Sequence, residues 1–179
     1  MIRMRQVPPF LAALALIVVL GACTRVSRQR TLPPSIRTVH IPMIINRSAE
    51  PGLEEDATRL VQKEFLADGR LELARNPREA DAILEITIKD FLDDPVSLDS
   101  DDFTRRLQLT IEADVRIVQN IPGKPVFGGS RKVISTTTYT NDKRRINYTP
   151  EPEGKALALQ RFAQLIVREV LTGSYTDDT

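Results

Sequence analysis

The sequence contains one cysteine, one histidine and no tryptophan, and aromatic residues make up 5% of its 179 positions. A single cysteine excludes an intrachain disulfide, and one cysteine with one histidine cannot supply the usual ligands of a structural zinc site. The scarcity of aromatic residues argues against a surface on which bases or sugars stack. The net charge is +1, which gives no reason to expect a nucleic-acid partner.

The sequence also lacks a recognisable catalytic group. His40 lies in a predicted strand without an adjacent nucleophile motif, so we expect an ordinary packed or surface side chain there. No segment singles out a pair of carboxylates. The sequence therefore favours a protein without enzymatic activity, cofactor or metal.

The N-terminus has the pattern of a secretory signal that ends in a lipobox. Arg3 and Arg5 precede an apolar run at residues 10–20, and small residues stand directly before Cys23. The run rises only about 16 Å as a helix, roughly half of a bilayer core, so a permanent span is disfavoured. We predict a lipoprotein signal peptide at residues 1–22 and acylation of Cys23, where several chains give a stable anchor.

The residues that follow predict where the anchored chain resides. Thr24, instead of an aspartate, follows the cysteine, which by resemblance to bacterial lipoprotein sorting favours the outer membrane. Residues 23–35 are polar and basic and end in Pro33-Pro34 and a serine, which predicts a lipidated N-terminus and tether. A polar, flexible tail is predicted at residues 174–179.

Two segments have the apolar spacing of amphipathic helices. The first is predicted at residues 51–68, because acidic residues fill its first turn and Gly69 follows it. The second is predicted from Glu153 to a stop at Gly173. Both belong to a single domain that we predict at residues 36–173.

Extended segments separate the helices. The first strand is predicted at residues 36–45, where Pro42 favours an edge position or an irregularity. Every second residue is apolar at 82–88 and 107–117, which predicts strands with one buried and one solvated face. A further strand is predicted at 126–140. In the first strand, one shared face is expected for Val39, Ile41 and Met43.

An acidic segment at residues 93–102 connects two of these strands. Its alternating carboxylates suggest a calcium loop, but it lacks the glycine and the final glutamate of an EF-hand. We therefore predict a solvated hairpin connection. Both helices are expected on the same side of a mixed sheet, in a two-layer α+β sandwich whose other sheet face stays polar.

A set of short motifs within residues 39–91 carries a resemblance to a known family. The motifs are Asn46-Arg47-Ser48 after an extended piece, Pro51-Gly52-Leu53-Glu54 opening a helix, Gly69-Arg70 closing it, and Ala80-Asp81 leading into a strand. The segment resembles the lipopolysaccharide-assembly lipoprotein family of the LptE type. The resemblance implies two α-helices packed on one face of a four-stranded mixed β-sheet.

The same resemblance implies a function. Family membership would make the chain an outer-membrane lipoprotein that partners and plugs the β-barrel lipopolysaccharide translocon, of the LptD type. It would assist assembly of the barrel and insertion of lipopolysaccharide into the outer leaflet, with its domain on the periplasmic side or inside the barrel lumen. As a hypothesis, basic residues near strand ends bind the phosphates of lipid A. These residues are Arg105, Arg106, Lys124, Arg131, Lys132, Lys143, Arg144 and Arg145.

Two other functions remain open at this point. One is a lipoprotein activator of cell-wall synthesis, and the other is an accessory lipoprotein of a lipid-trafficking transporter. A tether of about a dozen residues spans at most roughly 40 Å, which favours a partner in the same membrane over a distant synthase.

Overall fold

The computed structural model describes residues 32–98, 104–120, 129–143 and 146–173. The predicted signal peptide, Cys23, most of the tether and the tail at 174–179 lie outside the described residues. The same is true of part of the acidic connection, residues 99–103.

The described chain forms six strands and two α-helices. In chain order they are β1 (Thr38–His40), β2 (Ile45–Asn46), α1 (Leu53–Asp68), β3 (Glu72–Leu73), β4 (Ala82–Leu98), β5 (Thr104–Gln119), β6 (Arg131–Tyr139) and α2 (Glu151–Thr172). The sheet order is β3-β1-β4-β5-β6, and β2 also pairs with β4. The strands β1, β2 and β3 run parallel to their neighbours, whereas β4, β5 and β6 form an antiparallel meander.

The prediction of a four-stranded sheet is wrong, because the sheet has six strands. The predicted first strand is divided at Pro42, which has no N–H to donate to a ladder. Its two pieces, β1 and β2, pair separately with β4, and the short β3 is added beside β1. The interruption also shifts the alternation of side chains: Ile44 is buried and Met43 is 61% exposed, so the predicted shared face of Val39, Ile41 and Met43 is wrong for Met43.

The first helix, α1, begins two residues after its predicted start. Gly52 and Gly69, which flank it, both have positive φ, at 80° and 70°, a conformation that glycine adopts without steric cost. The N–H of Gly69 closes the helix by donating to the carbonyl of Phe65. The second helix, α2, begins at Glu151 instead of Glu153 and has a proline in its first turn, where a missing N–H costs nothing.

Both helices cover the same face of the sheet, as predicted. The inward residues of β5, from Leu109 through Ile117, are at most 1% exposed, and Phe65 of α1 and Phe162 of α2 are completely buried against them in one apolar cluster. Burial of apolar area of this kind is the main stabilising contribution to a domain of this size. The mixed α+β sandwich is thus confirmed.

The antiparallel hairpin of β4 and β5 is longer than the sequence pattern suggests. Residues 93–98, predicted as part of a loop, continue β4 and pair with the start of β5. Register shifts occur between Ile88 and Asp90 and again near Pro95, and bulges of this type let a long hairpin bend and twist.

Candidate functional site

The face of the sheet that the helices leave uncovered is called here the open face. It includes these outward-pointing residues of the three long strands: Glu85, Thr87, Lys89, Asp90, Leu92, Asp94, Gln108, Thr110, Glu112, Asp114, Arg116, Lys132, Ile134, Thr136 and Thr138. Because β-strand side chains alternate, each of these lies next to a core residue that points toward the helices.

One half of the open face is organised by ion pairs between neighbouring strands. Arg116 Nη2 lies 2.7 Å from Glu85 Oε2, and the Lys89 Nζ and Asp114 Oδ2 atoms are 3.3 Å apart. On the other side of β5, Lys132 Nζ is 2.6 Å from an oxygen of Glu112. Since these side chains are substantially exposed, the pairs contribute little to stability. Their main effect is to fix the charge pattern of the surface.

A shallow depression of about 340 Å³ lies in this charged half. The Arg47 guanidinium borders it together with Lys89 and Arg116, and the carboxylates of Glu85 and Asp114 complete its charged lining. Three cations against two carboxylates leave a small positive excess. The depression can accept a polar group of a partner, but it does not enclose one.

The other half of the open face combines exposed apolar side chains with Asp94, the register partner of Gln108. Leu92 on β4 is 50% exposed and Ile134 on β6 is 52% exposed. Thr110 lies between these strands and pairs in register with both Leu92 and Thr136. This half presents apolar, hydroxyl and carboxylate groups to solvent, a mixture that is typical of protein contact surfaces.

A charged cluster connects the helix layer to the sheet at the hairpin end of the domain. Lys155 Nζ lies 2.7 Å from Glu50 and 2.9 Å from Glu151, and these two hydrogen bonds raise the pKa of the lysine. Burial, with the nearby carboxylates of Asp93 and Glu151, raises the pKa of Tyr139 to about 12. The pKa of Asp93 is also raised, first by burial and then by Glu151.

At the opposite end of the sheet, Asp81 links the start of β1 to the start of β4 by hydrogen bonds. Its carboxylate Oδ2 accepts hydrogen bonds from the backbone N–H groups of Arg37 and Thr38, at 2.8 and 2.9 Å, and from the Thr38 hydroxyl. The backbone donors hold the pKa of Asp81 below its usual value, because they favour the ionised form. This carboxylate therefore holds the start of β1 against the start of β4.

The surroundings of His40 are those of a side chain that contributes to packing. It is half-buried, and its Nδ1 forms a 3.0 Å hydrogen bond with the carbonyl of Ala74 next to β3. Within the described ranges, no three His, Cys, Asp or Glu side chains come together as a metal site. In the same ranges no helix is both long and apolar enough to cross a membrane.

Residues 36–172 match the family LptE, described as lipopolysaccharide-assembly. The chain belongs to this family. The match covers every described strand and helix, so the LptE-type resemblance of the sequence is confirmed. The general role of the chain is that of a membrane-associated lipoprotein of lipopolysaccharide assembly.

Solved structures show the same fold at low sequence identity. The hypothetical protein CT253 from Chlamydia trachomatis superposes with a TM-score of 0.56 at 12% identity, covering 75% of this chain and 95% of that chain. Protein XCC0632 from Xanthomonas campestris gives 0.53 at 16% identity, covering 80% and 90%. No curated protein matches the sequence. The LptE-family domain therefore has a fold that tolerates almost complete sequence change.

Of the eight predicted basic residues, the four whose side chains the structure describes lie at two ends of the sheet. Leu107 pairs with Tyr139 and Val115 with Arg131, positions about 27 Å apart along the strand. Arg106 and Lys143 therefore lie near one end and Lys132 near the other. The side chains of Arg105, Lys124, Arg144 and Arg145 lie outside the described residues.

Neighbouring basic residues of β6 also face different surroundings. Arg131 points toward the helix layer, where its Nη1 is 3.4 Å from Glu169 of α2. Lys132 points to the open face and is paired with Glu112. Arg106 and Lys143 are exposed. Within this LptE-family domain, the four described residues of the predicted set thus do not converge on one pocket.

Sequence reasoning missed the cross-strand charge pattern of the open face. The charges of β4 and β5 were visible as the polar half of each alternation, but their partners depend on the hairpin register. The register changes at the shift between Ile88 and Asp90. No glycine or proline at this point of the sequence indicates that a bulge occurs there.

Proposed function

We propose that this LptE-family chain is an outer-membrane lipoprotein that partners and plugs a β-barrel lipopolysaccharide translocon of the LptD type. In this role it assists assembly of the barrel and insertion of lipopolysaccharide into the outer leaflet. The contribution is made by binding and not by catalysis. The observation that carries the proposal is the family match across the whole helix-and-sheet domain.

The open face supports this proposal. The lumen of a large outer-membrane barrel is polar, and a plug needs a surface that remains compatible with water and charged side chains. Paired charges such as Glu85 with Arg116 give the domain such a surface, while the adjoining half with Leu92 and Ile134 offers apolar contacts.

The short distance from the predicted anchor to the domain also supports it. Leu32 is 3% exposed and Ile36 is 1% exposed, so the chain is already part of the core at these positions. Only nine positions separate Leu32 from Cys23, which limits the reach of a fully extended tether to about 30 Å. An acylated Cys23 would therefore keep the domain at the membrane surface, within reach of a partner in the same membrane.

Direct lipopolysaccharide binding is part of the proposal. Arg106 and Lys143 are exposed at one end of the sheet and are suited to phosphate contacts. Reversing the charge of Lys143, Arg144 and Arg145 should weaken lipopolysaccharide binding in a pull-down assay. Unchanged binding would remove this segment from the site.

Co-purification tests the central part of the proposal. The full-length chain with a C-terminal tag is extracted from native membranes in mild detergent, and its partners are identified by mass spectrometry. A large β-barrel protein as the main partner is expected. A cell-wall synthase or a transporter subunit in its place would contradict the proposal.

The Cys23→Ala variant is the matched control for the anchor. Acylation predicts that the wild-type chain has the mass of the processed protein plus lipid and sediments with the outer membrane. The variant should lose both the lipid mass and the membrane association. Equal mass and equal fractionation of the two proteins would show that Cys23 carries no anchor.

A further inference from the structure

The three cations that border the depression on the open face differ in their partners. Arg116 donates two hydrogen bonds to Glu85, at 2.7 and 2.9 Å, and Lys89 lies 3.3 Å from Asp114. The guanidinium of Arg47 is exposed and, within the described part of the chain, has no hydrogen-bond or ion-pair partner. The positive excess of the depression therefore resides in Arg47.

The backbone that carries Arg47 is held on both sides. The N–H of Arg47 donates to the carbonyl of Ile88 at 2.9 Å, and the preceding Asn46 pairs in register with Ile88. The Asn46 side chain accepts hydrogen bonds from the N–H and the hydroxyl of Ser48, at 3.0 and 2.7 Å, and donates to the carbonyl of Glu50 at 2.7 Å. Because this backbone is already ordered, binding through Arg47 costs little backbone entropy.

The groups around Arg47 indicate which ligand fits. A planar guanidinium donates two parallel hydrogen bonds to a carboxylate or a phosphate, and the hydroxyls of Thr87 and Ser130 border the same depression as further donors. Glu85 and Asp114 also border it, so additional negative charge is repelled. One excess cation balances the single charge of a carboxylate, whereas a phosphate monoester carries about 1.5–2 negative charges at pH 7.

A lipid surface fits the open face less well than a protein does. A bilayer with anionic headgroups presents many negative charges at once, and the open face also carries the carboxylates of Asp90, Asp94 and Glu112. A folded protein can place a single carboxylate opposite Arg47 and keep its other acidic groups away. The charge pattern therefore favours a protein partner.

We propose that Arg47 is a docking residue that forms an ion pair with one aspartate or glutamate side chain of the partner protein that covers the open face. The hydroxyls of Thr87 and Ser130 are placed to donate to the same carboxylate. This inference deepens the proposed function and rests on it for the identity of the partner as an outer-membrane barrel. The lumen of such a barrel is polar, which suits a contact of this kind.

Carbodiimide cross-linking tests the proposal. Arg47→Lys places a primary amine at the site, and a carbodiimide joins an amine to a carboxylate in direct contact as an amide. The full-length variant is purified from membranes with its partner, treated with the reagent and digested for mass spectrometry. We expect a peptide that joins position 47 to an aspartate or glutamate of the barrel protein. Links from position 47 only to Glu85 or Asp114 of the same chain would overturn the proposal.

The matched control for the cross-link is Arg161→Lys, which places the same amine at an exposed position of α2. This position lies on the helix layer, away from the open face. The proposal predicts little or no link from it to the barrel protein. Equal yields of partner cross-link from positions 47 and 161 would contradict a specific contact at Arg47.

Charge reversal provides an independent measurement. Arg47→Glu should retain at most about a tenth of the co-purified partner, because a third carboxylate would then face the partner's own. Arg161→Glu should retain most of it. Since the Arg47 side chain makes no ion pair within the described domain, both variants should unfold at the same temperature as the wild type. Unchanged recovery of the partner with Arg47→Glu would overturn the proposal.

The outcomes distinguish the docking residue from the proposed function. A barrel that is recovered in full with Arg47→Glu refutes the docking residue alone. A cross-link from position 47 to a synthase or a transporter subunit refutes the barrel assignment alone. Loss of co-purified anionic lipid from Arg47→Glu, with full recovery of the protein partner, would show that Arg47 binds a lipid phosphate and would overturn the choice of a carboxylate.

Discussion

The two faces of the sheet consist of side chains from the same strands but differ strongly in their contribution to stability. On β5, Ile111 is completely buried beneath the helices, while its neighbour Glu112 reaches the open face and pairs with Lys132. Burying one large apolar side chain contributes about 1.5–3 kcal/mol, whereas an ion pair at the solvent-exposed surface contributes much less. The covered face therefore supplies most of the stability, and the open face contributes little to it.

The largest loss of stability is expected from a substitution on the covered face. Phe162 of α2 is completely buried, so Phe162→Ala should lower the free energy of unfolding by about 3–5 kcal/mol. Urea denaturation followed by circular dichroism measures the change. The control is Leu157→Ala on the same helix, where the side chain is 37% exposed and the loss should stay below about 1 kcal/mol. Equal losses would contradict the assignment of the covered face.

A smaller loss of stability is expected from a substitution where α2 contacts β6. Gly154→Ala places a methyl group against the Tyr139 ring, and overpacking of this kind costs about 1–3 kcal/mol, partly offset by about 1 kcal/mol of helix propensity. The net loss in free energy of unfolding should be about 1 kcal/mol. In a Tyr139→Ala background the same substitution should become neutral or stabilising, and a persistent loss would exclude the ring contact as its cause.

The carboxylate of Asp81 should make stability depend on pH. Its folded-state pKa is lowered by the N–H groups of Arg37 and Thr38, so its contribution is present above the ordinary aspartate pKa of about 4 and is lost as pH falls through the lower folded value. Asp81→Asn should cost about 1 kcal/mol at pH 7. The difference from wild type should shrink below about pH 4, and a constant difference across that range would contradict the argument.

The smallest change in stability is expected from a substitution on the open face. Arg116→Ala removes the exposed pair with Glu85 and should change the free energy of unfolding by less than about 1 kcal/mol. The difference should decrease further at 0.5 M salt, because exposed charges are screened. Thermal unfolding at low and high salt measures it. A loss above about 2 kcal/mol would show that the open face also stabilises the fold.

The difference between the faces also explains which parts of the structure could be predicted from the sequence. Strict alternation at residues 107–117 predicted the buried row of β5, because a half-buried strand has a period of two. Helical spacing likewise predicted the buried row of α2, including Phe162 and Ile166. These patterns are local, so the sequence carries them in full.

The remaining features depend on contacts between distant segments. The division of the first strand at Pro42 was anticipated as an irregularity, but the separate pairing of Ile45 with Thr87 depends on the length of β4. The ion pairs of the open face depend on the register shift beside Asp90. The position of β6 at one end of the described sheet depends on the strand order, which no single segment encodes.

The most direct test of the account is photo-crosslinking in cells from single positions on the two sides of the domain. A photoreactive residue replaces Ile134 on the open face or, in a separate strain, Leu66 on the exposed side of α1, where the side chain is 66% exposed. The account predicts that Ile134 forms a prominent adduct with an outer-membrane barrel protein and that any adduct from Leu66 is weaker. An adduct from Leu66 alone, or an adduct from Ile134 with a synthase or a transporter subunit, would contradict it.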